Sequence, residues 1–138
     1  MADAPEVILN RAIAQLLHDN GLALNETKPD GTIPERGIRK DGIMPTNNEF
    51  TLLSALRPIP DGRADMTYRT QIFTRRKGSP NDIRTWMSDL RAVLDQKEYT
   101  PAVLGISWAW ESSGLDFDRD SQGRVSAAAT YHFRGRRP

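Results

Sequence analysis

The residues able to do chemistry are few. Asp116, Asp118 and Asp120 alternate as the start of a calcium loop would, and they form the most suggestive metal pattern in the chain. The pattern then breaks. Ser121 stands where the sharp turn needs glycine, and Ala127 where the closing bidentate glutamate belongs. The acids therefore read as a solvated edge, and no metal is expected. His18 and His132 are the only histidines, and they fall on unrelated elements with no acidic residue spaced to complete a ligand set or a general base. No serine sits in a nucleophile elbow and no glycine-rich phosphate loop occurs. The absence of cysteine removes thiolate zinc, thiol catalysis and disulfides together. Neither an enzyme nor a cofactor is expected.

What remains is recognition by charge and by aromatic rings. Basic residues gather at Arg75, Arg76 and Lys77 and again at Arg134, Arg136 and Arg137. Acidic ones gather at Glu111, Asp116, Asp118 and Asp120. Opposite patches on one molecule can meet between identical copies head to tail, which closes into a ring when the rotation allows. Arginine dominates the basic set, and its planar fork suits such contacts. Alternatively, the first cluster is a solvated strand end, or a site for acidic or phosphate groups. Trp108 and Trp110 are candidates for stacking on nucleic-acid bases, with arginines on phosphates. They alternate with Ile106, however, which points to burial in a core, and the aromatic motif of RNA-binding sheets is absent.

The bulk properties bound these readings. A chain of 138 residues is expected to form one domain spanning residues 1–138. Lys and Arg number 19 against 18 acidic residues, a net charge of +1, so no overall field draws nucleic acid or a membrane surface. No apolar run approaches a membrane span, and the first residues lack the basic flank of a signal peptide, so the protein is expected to be cytoplasmic where it is made.

The elements that must position these residues follow from periodicity. Asp3 and Glu6 resemble a capping box around Pro5, opening a helix with Leu9, Ala12, Ile13, Leu16 and Leu17 inward, Asn10 outward, and Gly21 as its stop. Residues 22–48 lose periodicity and fill with turn formers. They are expected to be a long excursion, either disordered or ordered on a neighbouring subunit through Ile33, Ile38, Ile43 and Met44. Phe50 to Leu56 and Met66 to Thr74 form a hairpin. Ser79-Pro80-Asn81-Asp82 opens a second helix whose stripe is Ile83, Trp86, Met87, Leu90, Val93 and Leu94, with Arg91 and Asp95 at pairing distance. The run from Val103 to Arg134 reads as two long strands turning at Asp120-Ser121-Gln122-Gly123, with Ser112-Ser113-Gly114 as a bulge and residues 134–138 as a basic tail. The expected class is α+β: a largely antiparallel sheet with two main helices packed against it.

Taken in order, the Gly- and Pro-rich excursion ending in Gly42-Ile43-Met44-Pro45, then Gln71-Ile72-Phe73-Thr74-Arg75, Gly78-Ser79-Pro80-Asn81-Asp82, Ser112-Ser113-Gly114-Leu115 and Asp120-Ser121-Gln122-Gly123-Arg124 resemble the tail terminator proteins of long-tailed bacteriophages, often labelled minor capsid or minor tail proteins. The motifs are short, and the resemblance lies in their order and spacing over nearly the full chain. It implies a virion structural protein, assembled in the bacterial host cytoplasm. Such a protein forms a homo-oligomer, a hexameric ring, that caps the tail tube protein, ends tube polymerisation and offers a surface to the head-tail connector or head-completion protein. It implies no catalysis and no membrane. The alternatives are a head-completion or head-tail joining protein, or a small nucleic-acid-binding module without sequence specificity.

Overall fold

Each helix is set by its first turn and its apolar stripe. The computed structural model describes residues 3–138, and its first helix, α1, runs Pro5–Asp19. Its N-cap is Ala4, which makes no side-chain cap; Asp3 instead pairs with Arg11. The buried stripe is Leu9, Asn10, Ile13, Ala14 and Leu17, so Asn10 faces inward and Ala12 is only half-buried. Asn10 is tolerated there because its amide is satisfied: Thr70 Oγ1 donates to its Oδ1 at 2.9 Å, and its Nδ2 donates to the Lys40 carbonyl at 3.2 Å. The second helix, α2, runs Pro80–Leu94 with Ile83, Trp86, Met87, Leu90 and Leu94 buried, the stripe its periodicity predicts. Asp95 is not paired with Arg91. Its carboxylate accepts the Glu111 N–H at 2.8 Å, tying the end of α2 to the sheet.

The strands are β1 (Gly37–Arg39), β2 (Phe50–Asp61), β3 (Asp65–Lys77), β4 (Lys97–Glu98), β5 (Trp108–Phe117) and β6 (Arg124–Arg136). They make one six-stranded sheet in the order β1-β2-β3-β6-β5-β4, antiparallel except for the β1–β2 pair. The fold is α+β, as expected. Both helices contribute to one core on one face of the sheet, with Leu53, Tyr68, Ile72, Val125, Ala127, Ala129, Tyr131 and Phe133. The alanines of β6 let α2 approach closely.

Three expectations are corrected. The excursion is not structureless: Leu24 bridges Gly37, β1 pairs with β2, and Ile33 and Ile38 are buried in the chain's own cores. Gly37 permits that fold-back, since a Cβ there would lie 2.7 Å from the Pro34 carbonyl oxygen. Next, residues 134–136 are not a tail. Arg134, Gly135 and Arg136 pair with Thr67, Met66 and Asp65 at the end of β6. Finally, the first arm of the last hairpin begins at Trp108 rather than Val103, because Leu104 and Gly105 both take left-handed backbone (φ 55° and 62°), which an extended strand cannot contain.

That last break changes the phase of β5. Ile106 is buried from within the preceding turn, so its direction does not carry into the strand. Within β5 it is Ala109 that is buried, and Trp108 and Trp110 point to the other side of the sheet, away from the helices.

Candidate functional site

The face without helices collects most of the residues with recognition chemistry. Register places them in rows across β2, β3, β6 and β5. Phe50, Arg75, Ser126 and Phe117 form one row, and Leu52, Phe73, Ala128 and Leu115 the next. A polar band of Ser54, Gln71, Thr130 and Ser113 follows, and beyond it lies a row of Leu56, Arg69, His132 and Trp110. Arg134 and Trp108 lie at the far end.

The excursion covers only the β2 side, where Ile33 packs with Phe50, Leu52 and Phe73. On the β5 side, Leu115 is 61% and Phe117 43% exposed. The rings of Phe50, Phe73 and Phe117 form a chain, with centroids 5.8 and 6.0 Å apart, and the Arg75 guanidinium lies 5.0 Å from the Phe50 centroid. Burial, and then the nearby Arg124, lower the pKa of Arg75. Trp110 packs on His132 with centroids 5.2 Å apart. Burial there, reinforced by Arg69, pulls the His132 pKa below its ordinary value.

The charged residues proposed from sequence separate into those the fold consumes and those it leaves exposed. Arg76 is a structural residue, not a surface contact. It is buried, donates to the carbonyls of Phe50 (3.2 Å) and Leu22 (3.1 Å), and lies over the Trp86 ring at 5.6 Å. Burial, opposed by Glu49, pushes its pKa down to about 10. Sequence reasoning missed this role, although alternation with the inward Tyr68, Ile72 and Thr74 would have signalled it.

Asp120 organises its own turn. Its carboxylate accepts the N–H groups of Gln122 and Arg124 at 2.9 Å and pairs with the Arg124 Nε at 2.7 Å, which holds its pKa below the usual carboxylate range. Asp116 lies 3.4 Å from Arg84. Arg134 pairs with Asp61 and Asp65, and Arg137 donates to the Gly62 carbonyl, so the basic end of β6 clamps the β2–β3 turn of its own chain. Lys77, Asp118 and Arg136 remain exposed. Among the described residues no three acidic or histidine side chains gather to hold a metal ion, and no helix is long and apolar enough to cross a membrane.

A concavity of about 660 Å³ lies between α1 and the excursion. Its arginines are already engaged, Arg11 with Asp3 and Arg39 with Asp41. Compared with protein-family models and with curated proteins, the chain matches none.

Proposed function

We propose that this chain is a tail terminator of a long-tailed bacteriophage: a structural protein that forms a ring at the head-tail junction, caps the tail tube, ends its polymerisation and docks the head connector. Catalysis has no part in this reading. Its starting point is the ordered series of motifs along the chain. The observation that carries it is the exposure of Ile43 and Met44, at 57% and 52%, in the Gly42-Ile43-Met44-Pro45 segment. Of the four apolar residues of the excursion singled out as anchors, Ile33 and Ile38 are spent on the chain's own core. Ile43 and Met44 have no such use within the monomer, and adjacent exposed apolar residues on an ordered loop suit a contact between subunits. Lys77, Asp118 and Arg136 are the exposed members of the charged set that remain to steer the contact.

The test is the mass of the protein in solution, alone and mixed with a tail tube protein. The expected result is a closed oligomer, or a monomer converted to one on tube ends. A chain that stays monomeric in both settings and leaves tube length unchanged would refute the reading.

A further inference from the structure

We infer that the helix-free face of the sheet, from Phe117 and Phe73 at one end to Trp108 and Trp110 at the other, is a binding platform for single-stranded nucleic acid. The inference does not depend on the ring reading, and it rests on three observations.

The first is aromatic supply. Phe73, Phe117, Trp108 and Trp110 all project from this face, Phe117 and Trp108 being exposed and Phe73 and Trp110 half-buried. None of the four is fully buried. Unpaired bases stack on such rings with little regard to sequence. The second is charge. Arg69, Arg75 and Lys77 stand on the same face, and among the described residues none has a carboxylate within salt-bridge reach. Of the acids on this face, Asp61 and Asp65 are paired with Arg134 and Asp120 with Arg124, while Glu98, opposite Trp108, has no cation within salt-bridge reach among the described residues. Three free cations against one free carboxylate leave the face net positive, most strongly toward Arg75 and Lys77, which complements a phosphodiester backbone. The third is shape. The β6 side chains along the middle are short (Ser126, Ala128, Thr130), while larger ones rise on β3 and β5. From Phe117 to Trp108 the platform runs roughly 30 Å at about 3.3 Å per residue. That length suits about four nucleotides, the low end for a sheet-based single-strand binder.

A second copy of the chain fits this face less well. A two-fold sheet-on-sheet contact with its axis along β3 would set Arg69, Arg75 and Lys77 against their own images.

The experiment is fluorescence anisotropy of a labelled twelve-nucleotide dT strand with the full chain, at several salt concentrations, with the same-length duplex and heparin as competitors. The expected result is saturable binding that weakens with salt and is displaced by unlabelled single strand better than by duplex or heparin. Phe117→Ala and Trp108→Ala should each weaken binding by roughly 5- to 100-fold, the range for loss of one stacked base. Arg75→Ala should reduce the salt slope by about 0.7. Should Trp108→Ala fail to fold, Phe117→Leu keeps the apolar volume, removes the ring and gives the same reading.

Three results would overturn the inference: no binding at low salt, equal competition by heparin, or affinity indifferent to Phe117. So would concentration-dependent self-association that Phe117→Ala abolishes, because the face would then belong to a second copy. The first three results do not bear on whether the chain assembles on tail tubes, and self-association through Phe117 is distinguished from the ring contact because it would survive replacement of Ile43 and Met44, so failure of this inference and failure of the ring reading are separable.

Discussion

At the scale of single residues, the fold distinguishes side chains that neighbour one another in sequence. Arg75 and Arg76 are consecutive on β3 and so point to opposite faces. Arg75 lies over phenylalanine rings on the open face, whereas Arg76 is buried under Trp86 and joins β3 to the carbonyls of Phe50 and Leu22. A lysine carries the charge but not the fork. Arg76→Lys is expected to destabilise the protein by about 1–3 kcal/mol in a denaturant titration, and an unchanged midpoint would remove the role assigned to it. His132 supplies a pH dependence. Its folded pKa lies below its ordinary 6.5 because burial, and then Arg69, oppose the charged form. The unfolded chain therefore binds more protons just below pH 6.5, so stability should fall as pH drops through that window. His132→Gln should flatten this part of the profile, as read by thermal melts at closely spaced pH values.

At the scale of elements, the start of α2 shows how a cap works here. Ser79 and Asp82 form a capping box, in which the Asp82 carboxylate accepts the Ser79 N–H at 2.8 Å and the Ser79 hydroxyl at 3.3 Å. The shortest of these contacts belongs to the acid, which also sits at the positive end of the helix. Asp82→Ala should cost about 1 kcal/mol and Ser79→Ala distinctly less, measured as shifts in unfolding midpoint. The reverse order would show that the hydroxyl does the capping. The end of α2 is held differently. Asp95 spends its carboxylate on the Glu111 N–H, next to the register shift between Glu111 and Ser113, which couples the helix to the irregular part of β5.

At the scale of the whole molecule, the sheet has one face committed to its helices and the other partly open. The charges that suggested head-to-tail complementarity are largely spent within the monomer, Arg134 on Asp61 and Asp65 and Asp120 on Arg124. The apolar pair Ile43 and Met44 therefore carries more of the expected subunit contact than the arginines do. Replacing both with aspartate should abolish the assembled species while leaving the monomer's unfolding midpoint within about 0.5 kcal/mol, as for exposed positions away from buried features. A variant that still assembles would move the interface elsewhere.

The sequence by itself determined the class of fold, both helices, the β2–β3 hairpin and the final turn, because these are written in local terms. Examples are the 3.6-residue stripe of Ile83, Trp86, Met87, Leu90 and Leu94, the alternation of Val125 to Phe133, and the turn chemistry of Asp120 to Gly123. Tertiary structure alone decided which way an interrupted strand faces and which charges remain exposed. The left-handed pair Leu104-Gly105 breaks the alternation before Trp108, so the burial of Ile106 carried no information about the two tryptophans beyond it. Likewise, whether Arg76 or Arg134 is exposed depends on groups far along the chain, Leu22 and Phe50 for one and Asp61 and Asp65 for the other. No local pattern records such partners, since they meet only when the sheet brings them together.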